Sequence, residues 1–138
     1  RLGFRRLPPA VFSAAARALL AADLVPLITW GPGEAPLAEE VAALAPGAEV
    51  APRTDLTELA SLLGSAELAV TNNTGPMHLA VAVGCPTLAL FLHMEVARWG
   101  HGPPHRMLDL TPLVLAGEPL EPAVAAAATD FASRLKTE

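Results

Sequence analysis

The chain is poor in charge, in aromatic residues and in cysteine. Charged residues fill 17% of its 138 positions and aromatic ones 4%, and tyrosine is absent. Nine Lys and Arg residues stand scattered against fourteen acidic ones, for a net charge of −5. The clustered basic and aromatic footprint of a nucleic-acid surface is therefore missing, and nucleic acid is not an expected partner. The single cysteine, Cys85, excludes an internal disulfide and suits a reducing compartment. No apolar run approaches the roughly 18 residues needed to span a bilayer, and no basic segment leads into a short apolar core with a cleavage site.

What remains is an apolar chain. At 52% hydrophobic residues it is long enough to bury a core, so disorder is excluded and one domain over residues 1–138 is expected. The low charge implies an apolar patch that a further domain would cover.

The most informative stretch is Val70-Thr71-Asn72-Asn73-Thr74-Gly75-Pro76-Met77-His78-Leu79-Ala80. An apolar run from Leu68 to Val70 meets small polar residues and then Pro76, which a helix accepts only in its first turn. The pattern predicts strand, tight turn, helix, with Thr74 or Gly75 as cap. The N–H groups of Gly75, Met77 and His78 then face out of the positive end of the helix, where an anion such as phosphate is stabilised. The alternative is an Asx-type turn feeding a buried helix.

Asn72-Asn73-Thr74-Gly75-Pro76-Met77-His78-Leu79-Ala80, followed by Gly84-Cys85-Pro86-Thr87-Leu88-Ala89-Leu90-Phe91, closely resembles the signature of the ADP-heptose:lipopolysaccharide heptosyltransferases, glycosyltransferase family 9. The resemblance runs more weakly from about Arg5 to the last helix. It implies the C-terminal, donor-binding half of a GT-B fold, with an ADP-sugar as donor, a glycan or lipid-linked acceptor, no cofactor and no metal. It also implies that the general base and the acceptor site lie on an N-terminal domain that this stretch does not include, so no catalytic residue is expected within it. The implied location is cytoplasmic, at the inner face of the membrane. The family carries Asp where this chain has Asn73, which can still bond sugar hydroxyls but lacks the charge that favours an oxocarbenium-like centre. Leu92-His93-Met94 replaces the family's Gly-Pro-Thr turn.

Taken in order, Pro8-Pro9 opens a helix with Phe12, Ala15, Ala16, Leu19 and Leu20 on one face. The resemblance places Arg5 where the family has a phosphate-contacting lysine; Arg keeps the charge and changes the donor geometry. Leu24 to Trp30 reads as a strand covered on both faces, ending in Gly31-Pro32-Gly33-Glu34. Glu34, at the strand exit, suits a ribose-binding carboxylate, which the resemblance supports, or else complements the dipole of the following helix. That helix starts at Pro36, turns Leu37, Val41 and Leu44 inward and ends at Pro46-Gly47. Glu49 to Ala51 is a short strand, and the resemblance sets its exit loop, Pro52-Arg53-Thr54, beside an adenine.

Asp55 to Glu58 has capping-box spacing before a helix with Leu56, Leu59, Ala60 and Leu63 inward. The helix from Pro76 to Val83 is apolar nearly all round, so full burial is expected, with His78 its polar exception. Thr87 to Phe91 reads as a buried strand and Met107 to Leu110 as the last one. Glu121 to Leu135 closes the chain as an amphipathic helix. Cys85, in an apolar turn, reads as a packing residue. His93, His101 and His105 lack metal-ligand spacing across Gly102-Pro103-Pro104.

Alternation of strand and helix over these spacings predicts an α/β fold: a three-layer, Rossmann-like parallel sheet with helices on both faces and ligands at the carboxyl ends of the strands. The site residues expected for a nucleotide sugar are Arg5, Glu34, Thr54, Asn73, Thr74, Gly75, Met77 and His78. Two other readings stay open: a non-catalytic nucleotide or ligand-binding module of the same fold, and an unrelated α/β enzyme in which Cys85 or His78 is chemical.

Overall fold

A computed structural model describes residues 7–72, 74–92 and 101–137. The chain divides into two compact units, one of Arg1–Leu7 with Glu58–Leu120 and the other of Pro8–Thr57 with Glu121–Glu138.

The second of these, the terminal unit, holds α1 (Pro9–Ala21), β1 (Leu27–Ile28), α2 (Ala35–Ala43), β2 (Glu49–Val50) and, from the chain's other end, α6 (Glu121–Lys136). Its core is the α1–α6 contact. Val11, Ala15 and Leu19 of α1 are buried, as are Val124, Ala127, Ala128 and Phe131 of α6, and the small residues let the two helices pack closely. Ser13 is fully buried in α1, and its hydroxyl lies 3.0 Å from the Val41 carbonyl of α2, so its polarity is satisfied. The closing helix falls where the apolar period put it.

The first strand does not match the expectation. Only Leu27 and Ile28 pair, in parallel with Glu49 and Val50, and Leu27 is 40% exposed. Pro26 has no N–H to give a ladder, which confines the strand to the residues after it. Leu44, expected inward, is exposed at the end of α2, and Ala38 with Val41 forms the buried stripe instead.

The mid-chain unit holds α3 (Leu56–Ser65), β3 (Ala69–Asn72), α4 (Gly75–Ala82), β4 (Thr87–Phe91), β5 (Arg106–Asp109) and the short α5 (Thr111–Leu115). β4 lies between β3 and β5 and pairs in parallel with both, Asn72 opposite Leu90 and Phe91 opposite Asp109. All five residues of β4 are buried, the mark of a strand covered on both faces. Ala89 and Phe91 meet Met77 of α4 on one face, and Cys85 packs with Leu63, Ala69 and Ala80. Burial pushes the Cys85 thiol up from its ordinary value, which makes it a poor nucleophile.

α4 has the expected length, shifted by one residue, but is wetter than its composition predicts. Only Met77 and Ala80 are buried, because one helix face meets β3 and β4, while Pro76, His78 and Val83 are exposed. Its end is a Schellman turn: Gly84 at φ 81° lets its N–H reach Val81 O at 3.1 Å and that of Cys85 reach Ala80 O at 2.9 Å. α5 carries no sequence signal strong enough to predict it. It starts where the Asp109 carboxylate accepts the Thr111 N–H at 2.9 Å. Among the described residues no helix is long and apolar enough to cross a membrane.

Candidate functional site

The mid-chain unit places the central motif at the carboxyl end of β3. The strand stops at Asn72, Thr74 takes the extended cap conformation (φ −141°, ψ −178°), and α4 starts at Gly75 with Pro76 in its first turn. Thr74 is bound to Asn72 twice: its N–H donates to the Asn72 carbonyl at 2.9 Å and its hydroxyl to Asn72 Oδ1 at 3.3 Å. The hydroxyl therefore does not cap the helix.

Of the amides expected to face outward, that of Met77 donates to the Thr74 carbonyl at 3.1 Å, and the Met77 side chain is fully buried against Ala89 and Phe91. Met77 thus anchors the turn rather than offering a group to a ligand. The Gly75 N–H makes no hydrogen bond among the described residues. Thr74, Gly75 and Pro76 are exposed, so the positive end of α4 is open to solvent and able to take an anion.

His78 follows one turn into α4 and is exposed. Its Nδ1 lies 3.0 Å from Nε2 of His101, the two rings meeting edge to face at 5.2 Å. The ring of His101 in turn meets that of His105 at 6.3 Å. Nδ1 of His105 accepts the Thr87 N–H at 3.1 Å, so this ring carries its proton on Nε2. Among the described residues no group of three or more His, Cys, Asp or Glu is arranged to hold a metal ion. The sequence signalled His78 through the motif but not His101, which lies 23 positions away in the crossover to β5.

The lowered pKa of His105, caused first by desolvation and then by the charge of His101, has a consequence for stability. A depressed histidine contributes stability that is complete above its ordinary value near 6.5 and is lost as pH falls through the lower folded value. Protonation also removes the acceptor for the Thr87 N–H. Replacing His105 by Asn, whose amide oxygen can stand in for Nδ1 without titrating, should flatten the fall in melting temperature between about pH 7 and 5. An unchanged slope would remove His105 from the account.

In the terminal unit, Trp30 Nε1 donates to the Ala51 carbonyl at 2.7 Å, tying the exits of β1 and β2 together. The Gly31–Glu34 turn follows, with the Glu34 N–H on Gly31 O at 3.0 Å and Glu34 Oε1 accepting the Gly31 N–H at 2.9 Å. Gly33 at φ 78° supplies the left-handed step. Glu34 therefore closes its own turn and occupies the cap position of α2. Thr54 is half-buried in the loop before α3. Arg5, Asn73 and His93 lie outside the described residues.

A parallel α/β unit with a Gly-Pro helix start at a strand's carboxyl end belongs to the broad class of folds that bind ligands at strand ends. The comparisons narrow that class. The sequence model of glycosyltransferase family 9 (heptosyltransferase) matches residues 4–108, and the chain belongs to this family. Among solved structures, the glycosyl transferase family 9 protein of Veillonella parvula DSM 2008 matches with a TM-score of 0.73 at 21% identity, over 94% of this chain and 43% of that one. E. coli heptosyltransferase WaaC, solved with ADP, matches with a TM-score of 0.75 at 20% identity, over 95% of this chain and 40% of its own. The chain thus spans less than half the length of these proteins and shares the fold of that part. No curated protein sequence matches it.

Proposed function

We propose that this chain binds the nucleotide-sugar donor, an ADP-sugar of the heptose kind, for a glycosyltransferase of lipopolysaccharide or other cell-surface glycan synthesis at the inner face of the membrane. The observation that carries the proposal is the open first turn of α4, with the Gly75 N–H unengaged among the described residues and Thr74 and His78 exposed beside it. Family membership supports it, as does the binding of ADP by WaaC.

Breaking the anomeric C–O bond builds negative charge on the departing diphosphate. Donors already aimed at that charge lower the barrier without reorganising. In this reading the Gly75 amide, the His78 ring, the positive end of α4 and Arg5 supply them, the Thr74 hydroxyl joins them only by turning away from Asn72 Oδ1, and Asn73 contacts the sugar hydroxyls. The acceptor hydroxyl and the base that deprotonates it belong to the remaining part of the enzyme, so this chain alone binds donor without turnover.

The family resemblance gives Glu34 and Thr54 contacts to the nucleoside, and both are carried here as proposals for the terminal unit. Glu34→Gln retains an oxygen for the Gly31 N–H while removing the charge that favours ribose hydroxyls. ADP affinity should fall about tenfold, the scale of one charge-assisted hydrogen bond, with the melting temperature unchanged. A change in melting temperature without loss of affinity would make Glu34 a turn residue only.

A thermal-shift panel of ADP, UDP, GDP and inorganic phosphate tests the function as a whole. At 100 times its dissociation constant ADP should add about 2.7 kcal/mol of stability, with UDP and GDP adding less. A second reading, a binding module without transferase activity, is favoured by Asn73 and by Leu92-His93-Met94, where the family carries Asp and Gly-Pro-Thr. It predicts that Asn73→Asp in the complete enzyme brings no gain in transfer.

A further inference from the structure

We propose that Trp30 is a base-stacking residue of the nucleotide site, its indole ring tethered to the backbone beyond β2 as a fixed platform for the adenine. Among the described residues the last ladder bond between β1 and β2 runs from the Ala51 N–H to Ile28 O at 2.9 Å. One step further on, the Trp30 indole N–H donates to the Ala51 carbonyl at 2.7 Å. The ring therefore lies at the exits of the two strands, the carboxyl ends at which a parallel α/β unit takes its ligands.

An indole has one polar atom, and here backbone satisfies it. Trp30 is half-buried, so what it leaves in solvent is ring carbon. A tie between strands needs only a donor, which the ladder already supplies. A large ring at this exit adds an apolar face, and the tether fixes it before any ligand arrives, so little side-chain entropy is lost on binding. In the chain the ring is followed by the closed Gly31–Glu34 turn, and the carbonyl that holds it leads into Pro52-Arg53-Thr54. Leu56, just past that loop at the start of α3, leaves 73% of its surface in solvent. A loop bounded by an indole and an exposed leucine suits a purine, which is flat and apolar on its faces and polar only at its edge. Base–aromatic stacking tolerates any base, so Trp30 supplies affinity and does not choose between ADP and GDP.

This role for Trp30 rests on the proposed function. Calorimetric titration with ADP and with inorganic pyrophosphate, beside tryptophan fluorescence and melting curves of the same samples, tests it. Saturating ADP should quench the tryptophan emission of the native chain, and pyrophosphate should not. The quench should disappear in Trp30→Phe, which leaves Trp99 as the sole tryptophan. Trp30→Leu should weaken ADP binding about tenfold or more and pyrophosphate binding by less than about twofold, because pyrophosphate has no base to stack. Trp30→Phe loses the same N–H bond, and so a similar share of stability, yet keeps a ring face; it should hold ADP within about threefold of the native chain.

Equal losses of ADP affinity in Trp30→Leu and Trp30→Phe would make Trp30 a strand tie alone and overturn the proposal. So would pyrophosphate affinity that falls together with ADP affinity in Trp30→Leu, native emission unquenched by bound ADP, or a quench of full size in Trp30→Phe. Each of these leaves ADP bound to the native chain and the donor-site reading standing, whereas a native chain that binds no ADP sinks both.

Discussion

Thr74→Asp should leave the chain as stable as before, or slightly more so, and weaken ADP binding about a hundredfold. The two effects have opposite signs for one physical reason. A carboxylate at the start of a helix complements its dipole, and Asp caps at least as well as Thr. The native hydroxyl makes no cap bond, since it is turned to Asn72, so no existing cap is lost. For a diphosphate at the same place the new charge is a competitor for the amides and a source of repulsion. Two like charges about 4 Å apart near a protein surface oppose each other by up to about 4 kcal/mol, of which screening leaves about 2 to 3. Thr74→Asn, a cap without charge, should lose far less affinity. A drop in melting temperature for Thr74→Asp would show that the α4 start is built differently, and unchanged ADP affinity would place the diphosphate elsewhere. Calorimetric titration and melting curves on the same samples read both effects.

Phe91→Ala should have the largest effect on stability. Phe91 is fully buried at the end of β4, packed with Met77 and Ala89 and flanked by Met107. Truncating such a ring removes its burial and leaves a cavity that the neighbouring strands cannot collapse into, at about 3–5 kcal/mol. Against the 5–15 kcal/mol of an ordinary domain that is enough to loosen the mid-chain unit. Because Met77 holds α4 on the same cluster, ADP binding should fall with it. Denaturant midpoints measure the loss, and a change below about 1 kcal/mol would mean that the cluster repacks and does not hold α4 in place.

The contrast between these substitutions shows what the sequence could reveal. β4 is a continuous buried run closed by Gly84-Cys85-Pro86 on one side, and both its existence and its double-sided burial followed from that pattern. The start of α4 was equally legible, because Pro76 and Gly75 restrict the backbone locally. Burial of α4 was misjudged for a related reason: composition says that a helix is apolar, whereas exposure depends on how many faces meet a neighbour, and here Met77 and Ala80 alone are buried. β1 failed similarly. Its apolar run contains Pro26, whose missing ladder donor was legible but outweighed by the pattern, and does not show that β2 offers only Glu49 and Val50 as partners.

At the site, sequence spacing placed the motif at the junction of β3 and α4 but did not give its hydrogen bonds. Met77 was expected to offer an amide and instead donates it to Thr74, since the first-turn bond closes at i to i−3. Glu34 was expected at a ribose and is found accepting from Gly31, a contact three residues apart that any acidic side chain in such a turn can make. His101 was out of reach of any local pattern, because only the crossover between β4 and β5 brings it back to His78.

The proposed donor site depends most on the Gly75 amide, and its backbone resonance tests it directly. In a nitrogen–proton correlation spectrum of the labelled chain, titration with ADP should move the Gly75 signal strongly downfield in the proton dimension, as expected when an N–H donates to a charged oxygen, and inorganic pyrophosphate should reproduce the shift at higher concentration. ADP that saturates the chain while Gly75 stays in place would contradict the account.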